Sequence, residues 1–316
     1  MKGRAAYDRW RLPALCGALL TLLAVPLWAG EIPSPGVRRA VLAGSWYPAN
    51  PVSLSRQIRG FLSRAKNPRM EGTLKALVVP HAGYVYSGAV AAHAYALLQG
   101  RRYDRIILVG PCHRASFQGV SVNLHSGYET PLGMVPVDLE AAGTLLDSGP
   151  LFRYVPRAHA QEHSLEIQVP FLQTVMKDFR IVPVLMGRQD PRICAELSRA
   201  LGKYLADHPR TLLVASSDLS HFHTDAQARI LDERFIRRVR EIDPQGLLED
   251  LASGRCEACG GGPVAVILST AAGAGADRCA ILRYANSADV TGDRSRVVGY
   301  LAAALFKSSD RDQRPR

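Results

Sequence analysis

One α/β domain, with a mixed, mostly parallel sheet flanked by helices, is the architecture this sequence predicts. Buried-type apolar runs such as "KALVVP", "YDRIILVGP", "FRIVPVLMG" and "RTLLVAS" alternate with helical patterns, the order that produces a parallel sheet covered on both faces. Apolar residues make up 47% of the 316 and charged residues 21%, ordinary for a chain with a full core. No internal repeat or linker interrupts the alternation, so residues 38–307 read as one domain.

The elements follow in order. "AVLAGSWYPAN" is a short strand or turn, and "PVSLSRQIRGFLSRAK" has apolar positions at helical spacing. The strand "KALVVP" leads to the helix "SGAVAAHAYALLQG", closed by Gly100, and then to "YDRIILVGP". "GVSVNL" and "GMVPVD" look like hairpin material, which makes the sheet mixed. "EHSLEIQVPFLQTVM" reads as one helix, followed by "FRIVPVLMG", the helix "PRICAELSRALGKYLADH" and the strand "RTLLVAS". Three helical segments come next, and "CAILRYAN" and "RVVGYLAAAL" are expected final strands.

Both ends carry part of the net charge of +11. Residues 1–29 hold Lys2, Arg4, Arg9 and Arg11 against Asp8, ahead of the apolar "LPALCGALLTLLAVPLWA". Ala29-Gly30 offers small residues at a cleavage point, so the segment reads as a signal peptide. The expected fate is export, periplasmic or extracellular. Leu27 fits an A-x-A site poorly, which leaves an uncleaved membrane anchor as the alternative. Residues 308–316 are polar and aperiodic and read as a disordered tail. The remaining surplus is spread along the body, with no basic run interleaved with aromatics and no zinc-finger or helix-turn-helix pattern, which argues against nucleic-acid binding.

Three strand-like runs end in the same way. "LVVPH" delivers His81, "ILVGPCH" delivers His113, and "LLVASSDLSH" delivers Asp218 and His221 on a loop. Loops past the carboxyl ends of parallel strands form the ligand cleft of open α/β sheets, so these groups converge on one edge. "AQEHSLEIQ" adds Glu162 and His163 at a helix start, with Glu166 one turn on; the helix dipole alone favours both carboxylates there. "CEACGGGPVAV" sets Cys259 before three glycines and a helix N-terminus, which makes it a credible thiolate ligand. The CxxC it forms with Cys256 also reads as a redox pair or disulfide, and without a second pair it carries little zinc signal.

Two histidines and one anionic ligand suit non-haem iron(II) or copper, ahead of zinc. Asp218 and His221 then act as an acid/base pair or as supports for the ligands. Tyr84 and Tyr86 can bound the pocket. His93, inside a helix, is expected to pack or to face the surface, and His125, His159 and His208 to be solvated in loops. Ser87, Ser164 and Ser220 lack a G-x-S-x-G context, against a serine hydrolase.

Through "AGSWYP", "PHAGYVYSG", "GPCH", "EHSLEIQVPFLQ", "SSDLSHF", "CGGGPVAVIL" and "YANSADVTGDRSRVVGYLAAA", in order from about residue 40 to 306, the chain resembles the Memo family. In bacteria its members are named AmmeMemoRadiSam system protein B. The resemblance implies a fold like that of class III extradiol dioxygenases and a mononuclear iron or copper site on His81, His113 and Cys259, with Asp218 and His221 beside them. It also implies AMMECR-type and radical SAM proteins as system partners. Cys112, where the family usually has serine or asparagine, and Cys256 are added thiols.

The function expected is a metal-dependent redox enzyme, dioxygenase-like, acting on dioxygen or a small-molecule substrate. His81, His113 and Cys259 hold the metal, and Asp218, His221 and His163 handle protons. The alternatives are a non-catalytic metal carrier and a peptide- or partner-binding module with a vestigial cleft, with zinc-assisted hydrolysis behind both.

Overall fold

The computed structural model describes residues 36–66 and 70–309; the expected leader and most of the expected tail lie outside these residues. Strand β1 (Val37–Arg38) and helix α1 (Pro51–Arg64) lead into β2 (Thr73–Val79), α2 (Tyr84–Ala96) and β3 (Arg105–Pro111). Next come β4 (Val120–Val122), β5 (Gly127–Thr130), β6 (Gly133–Pro136), α3 (Leu139–Leu146) and β7 (Phe152–Arg153). Three short helices follow: α4 (Pro156–Ala160), α5 (His163–Glu166) and α6 (Val169–Val175). The second half begins with β8 (Arg180–Met186), α7 (Pro191–Asp207), β9 (Thr211–Ser216) and β10 (Asp218–His223). It closes with α8 (Asp225–Arg240), α9 (Pro244–Ala252), α10 (Gly261–Gly273), β11 (Arg278–Asn286), α11 (Ala288–Thr291) and β12 (Val297–Lys307).

The main sheet has the order β10-β12-β2-β9-β3-β8-β4-β7, with β11 also paired to β12. Its centre, β2-β9-β3-β8, is parallel, and antiparallel pairs flank it. The expected hairpin divides: β4 joins the main sheet, whereas β6 pairs with β5 in a separate small sheet with β1. Alternation along β2 sends Leu77 and Val79 to one core and Ala76 and Val78 to the other. The first core packs α1, α2 and α6 through Ile58, Tyr95 and Phe171, and the second packs α7, α8 and α10 through Leu197, Phe235 and Val266. Both faces are therefore covered, as the continuous apolar strands require. This mixed sheet flanked by helices agrees with the extradiol-dioxygenase-like architecture that the resemblance implies.

Two local expectations are corrected. Residues 162–176 form two helices, because Pro170 has no backbone N–H and starts α6 afresh after the break at Gln168. Asp218 and His221 lie on strand β10, not on a loop. Strands β10 and β2 both pair with β12 in the antiparallel sense, β10 at Val297–Tyr300 and β2 at Ala303–Lys307. The start of β10 thus meets the end of β2, and tertiary pairing outweighs the polar sequence of "DLSHFH". Among the described residues, no helix is long and apolar enough to cross a membrane.

Candidate metal centre

Strands β2, β9 and β3 are parallel neighbours, with Val79 paired to Ser216, so their carboxyl ends lie at one edge. His81 follows β2, His113 follows β3, and α5 brings His163 alongside them. The rings of His81 and His113 are 5.3 Å apart, His81 and His163 5.3 Å, and His113 and His163 4.3 Å. Among the described residues, these three form the group whose donor atoms lie within 4.8 Å of one another.

Hydrogen bonding fixes the tautomer of His81. The Ser216 hydroxyl has one proton and lies 2.6 Å from the Ser164 carbonyl, which can only accept. Ser216 Oγ must therefore accept from its other two neighbours, Gln168 Nε2 and His81 Nδ1, each at 2.9 Å. With its proton on Nδ1, His81 presents the Nε2 lone pair. Burial, followed by the nearby His113, pushes its pKa down to about 3, so the ring is neutral at physiological pH.

His113 is set by Glu162. Oε1 lies 2.9 Å from His113 Nδ1, and Oε2 accepts the His113 backbone N–H at 2.6 Å. Glu162 also caps α5, accepting from the backbone of His163 and Ser164. Burial raises the Glu162 pKa, but the hydrogen bond and charge of His113, with these N–H groups, hold it down at about 2. The carboxylate only accepts, so His113 also keeps its proton on Nδ1 and offers Nε2.

His163 has a buried Nδ1 with no hydrogen-bond partner; Glu162 Oε1 lies 3.3 Å away. Burial, with the charges around it, lowers its pKa to about 3. Three clustered imidazoles, two of them locked to present Nε2, match the needs of a transition metal such as iron, copper or zinc, and not those of calcium or magnesium.

Cys259 contacts this group through His81, Sγ to Nε2 at 3.1 Å, without being a member of it. Its place is set by close packing: a Cβ on Gly260 would lie 2.4 Å from the Ser216 carbonyl oxygen, so only glycine lets this loop approach β9. Sγ also receives the Asp218 N–H at 3.3 Å. Burial, with Asp218 close by, raises the thiol pKa well above its usual range. Ligation by sulfur therefore requires metal binding to drive the proton off. Cys256 and Cys259 are both free thiols, so this CxxC is not a disulfide here.

Asp218 Oδ1 accepts the His81 backbone N–H at 2.7 Å, tying β10 to the first histidine. Burial pushes its pKa up to about 6. Asp218 and His221 line the same cleft as the three histidines, a space of about 720 Å³ walled by Trp46, Tyr86, Phe222 and Tyr300. Tyr86 is thus at the pocket, whereas Tyr84 is buried and donates its hydroxyl to the Ile167 carbonyl.

Sequence reasoning left Glu162 between helix capping and chemistry, and it missed Ser216, Gln168 and Trp46. Only the run "SSD" next to a predicted strand end pointed toward Ser216. His159, expected in a solvated loop, is buried on α4 against Ser121 and has its pKa lowered by burial to about 3.

A family model described as Memo-like protein matches residues 38–304. A MEMO1 family protein of Methanothermobacter thermautotrophicus is 36% identical over 275 residues, covering 84% of this chain and 98% of that one. MEMO1 family proteins of Methanosarcina acetivorans and Thermotoga petrophila are 36% and 35% identical, covering 84% and 85% of this chain and 98% and 99% of theirs. A solved structure of an uncharacterized Escherichia coli K12 protein superposes with a TM-score of 0.51 at 15% identity, covering 73% of this chain and 99% of that one, a likeness of fold alone. The length and identity of the family matches support one assignment: the chain belongs to the Memo-like protein family.

Proposed function

We propose that the protein is a metal-dependent redox enzyme acting on a small molecule, with one iron(II) or copper ion held by His81 and His113 and completed by His163 or Cys259. The observation that carries this reading is the pair of networks, Gln168–Ser216–His81 and Glu162–His113, that occupy Nδ1 of two clustered histidines and leave Nε2 as their ligand atom beside an open cleft. A metal whose other positions remain open to substrate would supply redox chemistry to a molecule bound in the cleft. Asp218 and His221 line that cleft, and in this reading they hold or move protons on the bound molecule.

A metal-holding protein without turnover is the second reading. The thiol of Cys259 beside His81 favours it, because a thiolate ligand is itself oxidised by the chemistry it would support.

Metal analysis of protein purified without added metal tests both readings, alongside His81→Ala, His163→Ala and Cys259→Ser. One equivalent of iron or copper, lost in His81→Ala, is the expected result, and the other two variants identify the third ligand. Negligible metal in every sample, even after anaerobic reconstitution, overturns both readings. Bound metal with no oxygen consumption across phenolic and thiol substrates selects the second.

A further inference from the structure

The cleft has a second feature, remote from the histidine group in chemistry. Phe222 lies within β10 yet adopts a left-handed backbone, φ 64°, and its side chain is 61% exposed. The pairing of β10 with β12 slips on either side of His221, and irregularities of this kind re-aim side chains next to functional sites. A non-glycine residue held in this conformation, with an apolar ring in solvent, gains little from its own packing. Beside it, across the His223–Val297 pair, Arg296 places its guanidinium 5.1 Å from the Phe222 ring centroid.

Among the described residues, Arg296 has no carboxylate partner. The other charges of its loop are occupied: Arg294 pairs with Asp225 at 3.0 Å, and Asp293 accepts from the backbone and hydroxyl of Ser295. Phe222, Arg296 and the half-exposed Tyr86 all line the cleft that holds the three histidines.

We propose that Arg296 and Phe222 form the substrate-binding arm of this cleft and take a small monocarboxylate with a flat apolar body. The carboxylate pairs with the Arg296 fork while the body lies on Phe222 and Tyr86. A single guanidinium, with Asp218 and Asp293 lining the same cleft, suits one negative charge better than the two of a phosphate monoester. The proposal rests on reading the cleft as a substrate site, but not on which metal it holds.

Calorimetric titration of the full chain with benzoate, benzamide and acetate tests it, on protein as purified and again after chelation, so that the carboxylate cannot simply ligate an ion. Benzoate is expected to bind about tenfold or more tighter than benzamide, with acetate weaker than benzoate. Arg296→Gln removes the preference for benzoate, weakening benzoate far more than benzamide. Phe222→Asn, which tolerates the left-handed backbone, weakens benzoate and benzamide together. Equal binding of benzoate and benzamide by chelated wild type, or an unchanged preference in Arg296→Gln, overturns the proposal. Metal content measured on the same samples reports separately on the metal reading: a metal-free protein that still prefers benzoate through Arg296 would remove the metal and keep the arm.

Discussion

Glu162 holds His113 twice, by the ring Nδ1 at 2.9 Å and by the backbone N–H at 2.6 Å, across 49 positions of sequence. One buried carboxylate therefore orients the imidazole, fixes its tautomer and caps the helix that begins with His163. Replacing it by alanine frees two of the three clustered histidines at once. Glu162→Ala is expected to lower metal affinity about 10–100-fold, with Glu162→Gln between it and wild type, since the amide oxygen still accepts. Competitive metal titration checks this, with circular dichroism confirming a retained fold. Wild-type affinity in Glu162→Ala would sink the assigned role.

Ser216 is the corresponding support for His81. Ser216→Ala leaves His81 Nδ1 without an acceptor and removes one of the acceptors of Gln168 Nε2, with the site still buried. A cost of about 1–3 kcal/mol in stability is expected from the lost hydrogen bonds. The variant also loses the constraint that presents Nε2, so metal binding weakens. Urea denaturation gives the first quantity and metal titration the second. A loss of stability with unchanged metal affinity would show that the tautomer does not depend on Ser216.

The site was legible wherever it depends on strand ends, and obscure wherever it depends on contacts distant in sequence. His81 and His113 follow apolar runs that can only be buried strands, and parallel neighbours bring their ends together. Asp218 was found for the same reason, although β10 was not, because its polar residues match no strand pattern and only pairing with β12 makes it one. His163 was expected to handle protons, and the structure places its donor within the same group as His81 and His113. That geometry depends on the short α5 and on where Glu162 caps it, which no periodicity encodes. The Ser216 relay joins His81 to Gln168 and Ser164, and the sequence shows Ser216 and Gln168 only as ordinary polar residues.

Glu166 is fully buried and meets Arg38 at 2.6 Å, the Tyr47 hydroxyl at 2.7 Å and the backbone N–H groups of Val41 and Leu42. The dipole reading of this residue therefore understates its role. It fastens residues 38–47, whose turn puts the Trp46 ring 4.7 Å from that of His163. Arg38, itself 3% exposed, also donates to the carbonyls of His159 and Glu162. Glu166→Ala leaves that guanidinium buried without its anion, an expected cost of about 3–5 kcal/mol measured by chemical denaturation. A cost under 1 kcal/mol would mean that water reaches Arg38 when Glu166 is removed.

Asp250 gives the fold an acid-sensitive joint away from the cleft. Its carboxylate is wholly buried beneath three arginines: Nε of Arg234 and of Arg238 each lie 2.7 Å from Oδ2, and Nε of Arg255 lies 2.6 Å from Oδ1. The hydrogen bond from Arg234, with those from Arg238 and Arg255, outweighs burial and holds its pKa well below the usual carboxylate range. The folded state therefore binds this proton less readily than the unfolded chain, whose Asp titrates at about 3.9. The stabilisation is complete above that value and is lost as pH falls toward the folded pKa. Asp250→Asn should accordingly be less stable than wild type at pH 7, and the gap should narrow as the pH is lowered toward 3. Urea midpoints for both proteins at the two pH values check this. A gap of equal size at both would show that the charge of Asp250 contributes nothing beyond the shape of its hydrogen bonds.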